Sequence, residues 1–363
     1  MAVGTRTPLW YLLLSVVLGM TVAVFTFLSL DTLTVAQYRL LASSIIGGPA
    51  SNVEVFPTEV SRCSEDDAIE AHLRKIEGQL RLLQQVKVLV WVMTQPDNHQ
   101  TKAVHVRDTW GKRVDKLLFM STQEDPSLPT VKLNMTEGRD YLWGKTKEAY
   151  KYVYQHYIND YDWFMKADDD TFVVMENLRY MLSLYDPEIP IYFGSRFKKF
   201  NPQGYMSGGG GYVLSRAAVK KFVEEALPDP KKCKADHTGA EDAEMGICMT
   251  NVGVLAGDSR DELGRGRFFP FVPAHHLVSG FIGEKSWYWD YIYYPIKVGP
   301  ECCSDTAITF HYISPDKMRE LDYFLYHLRP YGVVTQEPFP PALPPDLKSV
   351  PKQVIEKFGN RTS

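Results

Sequence analysis

The chain has 363 residues, a formal net charge of −4, and 45% hydrophobic and 13% aromatic residues. This length and apolar content are sufficient for one large α/β domain or two smaller ones. The slightly acidic balance excludes the broad basic surface of a nucleic-acid-binding protein. Five cysteines in a chain of this length exclude a small scaffold held together mainly by disulfides.

The N-terminal segment of residues 9–30 is almost entirely apolar and contains no charged side chain. It is long enough to cross a bilayer, and no small-residue cleavage site follows it closely, so we predict an uncleaved signal-anchor. Arg6, within a short tail of residues 1–8, favours a cytoplasmic N-terminus and a lumenal remainder. Asn134 and Asn360 begin N-glycosylation sequons, which are used only in the lumen.

Residues 31–85 have a mixed, polar composition and are predicted to form a stem. Within the stem, residues 66–85 carry apolar side chains three and four positions apart, which is typical of an amphipathic helix. These apolar positions are Ile69, Leu73, Ile76, Leu80 and Leu83. Such a helix would pack on the folded domain or on a second copy of itself, and the second alternative predicts a homodimer.

The folded domain is predicted over residues 86–331, followed by a proline-rich tail of residues 332–363. Apolar runs predict strands at residues 86–93, 116–121, 191–197 and 307–313, and a further strand that ends in an acidic triplet. Helical spacing predicts helices at residues 101–110, 145–157, 177–185, 216–227, 241–249 and 316–328. Strands that alternate with helices indicate an α/β fold with a largely parallel sheet.

The acidic triplet Asp168-Asp169-Asp170 ends the apolar run of residues 162–171. Because side chains alternate along a strand, Asp168 and Asp170 would point to one face and Asp169 to the other. Two such carboxylates suit Mg2+ or Mn2+. The alternative is an acidic turn in which Asp170 or Thr171 begins the next helix. Ligands of parallel α/β sheets bind where strands end, and this favours the metal site.

Two further segments each permit a structural and a functional interpretation. The four glycines at 208–211 form either a flexible turn or a place where a ligand approaches the backbone. No Lys-Ser/Thr pair follows, so the segment is not a triphosphate-binding loop. Glu241 and Asp242 open a predicted helix, where an acidic side chain either compensates the helix dipole or acts as a general base.

Residues 287–294 contain six aromatic side chains in eight positions. Core packing accounts for some of them, but all six cannot face inward, and an exposed ring would stack on a sugar or a peptide. His311, in the predicted strand of residues 307–313, is either a satisfied core residue or a ligand.

Several short motifs occur in an order that is typical of one enzyme family. They are Glu137-Gly138-Arg139-Asp140, residues 163–171, residues 205–209, Glu241-Asp242, residues 256–261, residues 302–305 and His311-Tyr312. Together they resemble the core 1 β1,3-galactosyltransferases, a family within the fringe-like β1,3-glycosyltransferases. The resemblance covers residues 86–331 and leaves out the stem and the tail.

The resemblance implies a GT-A fold, in which a Rossmann-like sheet binds a nucleotide-sugar. It implies that Asp168, Asp170 and His311 hold Mn2+ and that Asp242 is the catalytic base. The residues implied to contact the nucleotide-sugar or its metal are Met93, Glu137, Gly138, Arg139, Lys145, Asp168, Asp170, His311 and Tyr312. Trp287 and Tyr288 lie where the acceptor is expected to bind.

The implied reaction is inverting transfer of galactose from UDP-galactose, in β1,3 linkage, to GalNAc on Ser or Thr of glycoproteins. The implied location is the Golgi membrane, with a single-pass type II topology and a lumenal catalytic domain. One alternative is a fringe-like β1,3-GlcNAc transferase, which the aromatic run and Cys302-Cys303 disfavour. The other is a non-catalytic chaperone-like homologue, which the intact acidic triplet disfavours.

The cysteines depart from the family pattern at one point. Val90 and Val114 stand in the two regions where the family pattern leads us to expect cysteines, so one family disulfide is not expected here. The odd number of cysteines leaves at least one thiol free or paired with another chain.

Overall fold

The structure is a computed structural model that describes residues 86–329. The predicted membrane anchor, stem and C-terminal tail, together with Cys63 and Asn360, lie outside the described residues. Within residues 86–329, no helix combines the length and the apolar composition needed to cross a membrane.

The described strands belong to one large sheet and two small ones. They are β1 (Val88–Met93), β2 (Lys116–Ser121), β3 (Thr130–Lys132), β4 (Trp163–Asp168), β5 (Phe172–Val173), β6 (Ile191–Gly194), β7 (Arg196–Phe197), β8 (Tyr205–Met206), β9 (Tyr212–Ser215), β10 (Leu255–Ala256), β11 (Phe268–Phe269) and β12 (Thr309–Phe310).

The described α-helices connect these strands. They are α1 (Val104–Asp108), α2 (Leu142–Tyr157), α3 (Met175–Leu182), α4 (Arg216–Lys221), α5 (Glu241–Asn251), α6 (Pro273–Leu277), α7 (Trp287–Tyr291) and α8 (Pro315–Tyr326). A π-helical turn, His99–Ala103, precedes α1, and a second one, Phe222–Ala226, continues α4.

The large sheet has the strand order β10-β6-β9-β4-β1-β2-β3. β9 runs antiparallel to its neighbours β4 and β6, and the other pairs are parallel, so the prediction of a largely parallel α/β sheet is confirmed. In the central pair, Met93 lies opposite Asp168. The carboxyl ends of β1 and β4 therefore meet at one edge of the sheet.

Both faces of the sheet are covered, as the continuous apolar sequence of β1 requires. Val88, Val90 and Val92 belong to the hydrophobic cluster that includes side chains of α1 and α3. Leu89 and Trp91 belong to the opposite cluster, which includes side chains of α2, α4 and α5. The two-residue period of the strand thus divides the core into two layers.

Two predicted strands are shorter than the sequence indicates. The predicted strand of residues 191–197 is broken at Ser195, whose carbonyl accepts a hydrogen bond from the Ser207 amide, and β7 then pairs with β8 instead of the large sheet. The predicted strand of residues 307–313 is reduced to β12, so His311 follows the strand. In both places the apolar sequence continues, but the neighbouring strand no longer offers hydrogen bonds, so the strand ends.

Four of the cysteines form two disulfides. Cys233 pairs with Cys248, which lies in α5, and Cys302 pairs with its neighbour Cys303. The pairing could not be deduced from the sequence.

Candidate active site

The acidic triplet lies in the turn that follows β4. β4 ends at Asp168, and the Thr171 amide donates to the Asp168 carbonyl across the turn at 3.0 Å. Asp169 is buried and accepts hydrogen bonds from Thr94 and Asn98, both at 2.8 Å. Asp169 and Asp170 follow the strand, so the predicted alternation of faces does not apply to them, and Lys102 contacts both carboxylates. The next helix, α3, begins at Met175, so the triplet does not cap it.

Asp168, Asp170 and His311 form a cluster in which one ligand atom from each lies within 4.8 Å of the others. The His311 Nε2 atom is 3.1 Å from Asp170 and 3.9 Å from Asp168. The other ring nitrogen, Nδ1, lies 3.2 Å from the Pro270 carbonyl. A metal-binding histidine commonly donates its second nitrogen to a carbonyl in this way. Two carboxylates and one imidazole therefore fit a divalent cation.

Two lysines that the sequence analysis did not assign to the site contact the acidic triplet. Lys102 lies 3.0 Å from Asp170 and 3.5 Å from Asp169, and buried Lys166 lies 2.6 Å from Asp168. Burial raises the pKa of Asp170, but His311 and Lys102 outweigh burial and lower it to about 2. The carboxylate of Asp170 is thus held ionised by its neighbours, whereas burial raises the pKa of Asp169.

The glycine run allows side chains of the site to approach the backbone closely. A Cβ atom at Gly209 would lie 2.1 Å from His311 Cε1, and one at Gly208 would lie 2.7 Å from Glu241 Oε2. Gly211 has a φ of +71°, a conformation that other residues rarely adopt. The sequence predicted that a ligand would approach the backbone here. Side chains of the protein, those of His311 and Glu241, make this close approach.

Asp242 lies in the first turn of α5 and faces the glycine run. One carboxylate oxygen accepts from the Gly208 amide at 3.0 Å and the other from the Ala243 amide at 2.9 Å. Burial raises the pKa of Asp242, although donation from Gly208 and the charge of Lys166 oppose this rise. A carboxylate with a raised pKa accepts a proton more readily than ordinary aspartate.

Glu241 has a different environment from its neighbour. It is buried and accepts hydrogen bonds from the hydroxyls of Thr146 at 3.1 Å and Tyr212 at 2.5 Å. Its second oxygen lies 3.8 Å from Lys166. Because its contacts are internal, Glu241 fixes the start of α5 and leaves Asp242 as the candidate base.

The residues implied to bind the nucleotide lie beside the carboxyl end of β1. Buried Lys145 donates to the Thr94 carbonyl at 2.6 Å and pairs with Glu137 at 2.9 Å. Burial lowers the pKa of Lys145, and Glu137 opposes this effect. The Thr94 hydroxyl donates to Asp169, so Thr94 connects Lys145 and Glu137 with the acidic triplet.

Three other residues of the implied nucleotide site have distinct positions. Met93 ends β1 opposite Asp168. Gly138 has a φ of +123° and leads into exposed Arg139, which begins the short 3-10 helix Arg139–Tyr141. Within residues 86–329, no hydrogen bond or ion pair joins the side chain of Met93 or Arg139 to the carboxylates of the triplet.

The two residues implied to bind the acceptor differ in exposure. Trp287 is 51% exposed, whereas Tyr288 is only 3% exposed and packs against Phe197 and Phe271. Trp287 and the exposed Tyr312 both contact Phe271, with ring centroids 6.0 and 6.3 Å away, and the Tyr312 ring lies 3.9 Å from that of His311. The aromatic segment thus reaches the edge of the metal-ligand cluster, and Tyr288 supports it from beneath.

Comparisons with known proteins are consistent with this arrangement. Residues 83–259 match the protein family described as Fringe-like. The chain is 49% identical over 287 residues to glycoprotein-N-acetylgalactosamine 3-beta-galactosyltransferase 1 of Xenopus laevis, covering 78% of this chain and 76% of that protein. It is also 28% identical over 171 residues to beta-1,3-glucosyltransferase of Mus musculus, covering 46% and 34%. Chondroitin sulfate synthase 3 of Mus musculus is 26% identical over 185 residues, covering 45% and 20%.

Proposed function

The chain belongs to the glycoprotein-N-acetylgalactosamine 3-beta-galactosyltransferase family of Fringe-like glycosyltransferases, and from this membership we propose its reaction. It transfers galactose from UDP-galactose to the 3-hydroxyl of GalNAc on Ser or Thr of a glycoprotein. The observation that carries the proposal is the cluster of Asp168, Asp170 and His311, together with Asp242, which lies against Gly208 while His311 lies against the neighbouring Gly209. We infer that the sheet is that of a GT-A fold.

Asp168, Asp170 and His311 are the residues that would hold Mn2+. The ion, when bound, supplies positive charge that stabilises the diphosphate of the departing UDP. The protein prepares this site by fixing the His311 ring through the Pro270 carbonyl and by keeping the Asp170 carboxylate ionised. Lys145 and Glu137 lie on the side assigned to the nucleotide.

Asp242 is the proposed general base. As the acceptor 3-hydroxyl oxygen attacks the anomeric carbon, its proton passes to Asp242 and the bond to UDP breaks. One displacement converts the α linkage of the donor into a β linkage, so no covalent sugar intermediate forms. The raised pKa of Asp242 supports this assignment, because a base works best when its pKa approaches the working pH.

Trp287 is the proposed contact for the acceptor. Its exposed ring, supported by Phe197 and Tyr291, offers an apolar face of the kind on which a sugar or peptide stacks. Tyr288 contributes by packing beneath this surface, since its own ring is buried.

We also propose that the chain is a single-pass type II protein of the Golgi membrane, anchored by residues 9–30, with a lumenal catalytic domain that forms a homodimer. Two disulfides support a lumenal location, because disulfides persist in oxidising compartments. The exposed position of Asn134, at the start of a sequon, is compatible with glycan attachment.

The decisive experiment offers UDP-galactose, UDP-GlcNAc and UDP-glucose singly to the purified full-length chain with Mn2+ and a GalNAc-Thr peptide. We expect transfer from UDP-galactose alone and a β1,3-linked product by NMR. Transfer of GlcNAc to a fucosylated peptide would instead support the fringe-like alternative. Absence of transfer together with intact folding would support a chaperone-like homologue.

A further inference from the structure

A small cavity lined by three arginines borders Ser195, which a Cβ atom at Gly210 of the glycine run would approach to 3.3 Å. We refer to it as the arginine cavity; its volume is ≈ 40 Å³, and its lining includes Ser195, Arg196, Ser259, Arg260, Arg267 and Tyr294. None of Asp168, Asp170, His311 and Asp242 lines it. It is therefore separate from the site that binds the donor and the metal.

The charges around the arginine cavity do not balance. Arg260 pairs with Asp258 at 2.8 Å, and neighbouring Arg265 pairs with Asp261 and Asp305 at 2.7 and 2.8 Å. These ion pairs use the carboxylates of Asp258, Asp261 and Asp305. Within residues 86–329, no carboxylate lies within 4.0 Å of a side-chain nitrogen of Arg196 or of Arg267, the two remaining arginines.

Arg267 is the more buried of these two arginines, with only 1% of its surface exposed. Its Nε donates to the Thr306 hydroxyl at 3.0 Å and its Nη1 to the Arg260 carbonyl at 3.1 Å, whereas Nη2 has no hydrogen-bond partner in the described part of the chain. Burial lowers the pKa of Arg267, and Asp261 opposes this effect. A buried charge of this kind is costly unless a counter-charge accompanies it.

Arg196 also has only neutral acceptors. Its Nε donates to the Gln203 carbonyl and its Nη1 to the Tyr294 hydroxyl, both at 2.8 Å, and the guanidinium stacks on the Tyr293 ring at 3.7 Å. These contacts fix the position of the group without neutralising its charge. Two oriented guanidinium groups, each without a carboxylate, thus line one cavity.

We propose that the arginine cavity binds one small monovalent anion of the size of chloride, held by Arg196 and Arg267. The cavity volume of ≈ 40 Å³ exceeds the ~10–15 Å³ that a cavity needs to hold one water-sized molecule, so the cavity has room for a chloride ion. Because Tyr288, Ile292 and Tyr294 also line the cavity, the bound anion stabilises the segment that carries Trp287. This proposal does not depend on the identity of the sugar donor.

The test measures the melting temperature of the full-length chain in detergent, with chloride replacing gluconate at constant ionic strength. We expect a saturable rise of about 3 °C or more with chloride, since a ligand that binds only the folded state stabilises it. Arg196→Gln should abolish the rise. Arg216→Gln is the control, because Arg216 pairs with Asp162 and Glu188 and does not line the cavity.

Three results would overturn the proposal: no difference between chloride and gluconate, an equal rise in Arg196→Gln, or loss of the rise in the Arg216→Gln control. Arg267→Gln is a second test, since it too should abolish the chloride effect. If Arg267→Gln does not fold, Arg196→Gln decides alone, because Arg196 is only partly buried and makes its contacts near the surface. The measurement requires no donor or acceptor, so its failure is distinct from a failure of the proposed transferase activity.

Discussion

The ammonium nitrogen of Lys166 lies 2.6 Å from a carboxylate oxygen of Asp168. Both side chains leave the same face of β4, because they are two residues apart along the strand. The same nitrogen donates to the Gly208 carbonyl at 3.1 Å and lies 3.8 Å from Glu241. A single buried cation therefore connects the acidic turn with the glycine run and the start of α5.

Replacing Lys166 with methionine should destabilise the fold by about 3–5 kcal/mol, because Asp168 and Glu241 then lose their shared buried counter-charge. Mn2+ should restore part of this loss, since a divalent cation neutralises Asp168. Urea unfolding of both proteins, with and without Mn2+, measures the effect. Lys151→Met is the control, because Lys151 forms a half-exposed pair with Glu148, and it should cost less than about 1 kcal/mol. A Lys166→Met protein as stable as wild type without Mn2+ would contradict this account.

Replacing Asp170 with alanine should abolish transfer and weaken Mn2+ binding by at least about a hundredfold, because one of three protein ligands is lost. Calorimetric titration with Mn2+ and an initial-rate assay measure the two effects. The protein should still fold, since the backbone carbonyl of Asp170 accepts from the Ile313 amide and Lys102 keeps Asp169 as a partner, but its melting temperature should fall because the pairing of Asp170 with Lys102 is lost. Asp160→Ala is the control, as Asp160 is an exposed acid outside the cluster. Near-normal turnover and Mn2+ affinity in Asp170→Ala would make the triplet structural.

The strands at the centre of the fold were predictable because their sequences are continuous apolar runs with polar ends. The predicted bounds of β2 agree with Lys116–Ser121, and β1 begins two residues after the predicted start. β3, β7 and β8 have only two or three residues each, and their pairing depends on partners that local sequence does not indicate. Short strands of this kind are defined by the tertiary structure.

In the site, too, some features are indicated by the local sequence and others depend on the tertiary structure. The grouping of Asp168, Asp170 and His311 was implied by family resemblance, and the structure brings the three side chains together. Lys166 had a local signal, its two-residue spacing from Asp168, that could have identified it. Lys102 had none, because it is 68 residues from Asp170 in the sequence and reaches it only after folding. The burial of Tyr288 was equally hidden, since adjacent aromatic residues give no indication of which ring faces inward.

Replacing Trp287 with alanine should raise the KM for the glycopeptide acceptor by about tenfold, because an exposed aromatic surface for stacking is lost. The KM for UDP-galactose should remain near wild type, since Trp287 is not among the residues that surround the carboxylates. Initial rates measured with each substrate varied in turn separate the two constants. Phe324→Ala is the matched control: Phe324 is another half-exposed aromatic residue, 52% exposed, but it lies on α8. Equal effects of the two substitutions on acceptor KM would remove Trp287 from the acceptor site.

Removing the Cys233–Cys248 disulfide should lower the free energy of unfolding by about 3 kcal/mol, the value expected for closing a loop of about 15 residues. The double variant Cys233→Ala/Cys248→Ala avoids an unpaired thiol, and urea unfolding measures the loss. Turnover of the folded fraction should fall as well, because the disulfide ties residues 234–240 to the helix that begins with Glu241 and Asp242. If stability falls and turnover is unchanged, the disulfide stabilises the domain without positioning the base.

Replacing Asp242 with asparagine should separate a structural role from a catalytic one. Asparagine keeps one oxygen, so it can accept from only one of the two amides that donate to the Asp242 carboxylate. The loss of one hydrogen bond should lower the melting temperature by only about 2–4 °C, and the affinity for UDP with Mn2+ should stay near wild type. It cannot accept the acceptor's proton, and general base catalysis is worth about 10²–10⁴-fold, so turnover should fall by at least about a hundredfold. Glu241→Gln is the comparison: because Glu241 is enclosed by Thr146 and Tyr212, it should lower stability more than Asp242→Asn does.

The pH profile gives an independent test of the same assignment. Burial raises the folded-state pKa of Asp242, so the carboxylate takes up a proton at a higher pH than ordinary aspartate, for which the value is about 3.9. The turnover of wild type should therefore fall as the pH decreases through this raised pKa. The residual turnover of Asp242→Asn should not show this fall.

The free energy of unfolding depends on pH in the opposite direction. A group that binds its proton more tightly in the folded state destabilises the folded protein at higher pH. Asp242→Asn removes this unfavourable contribution near neutral pH, which offsets part of the hydrogen bond that it loses to one of the two amides. A variant that melts much earlier than wild type yet turns over normally would make Asp242 a structural residue of α5.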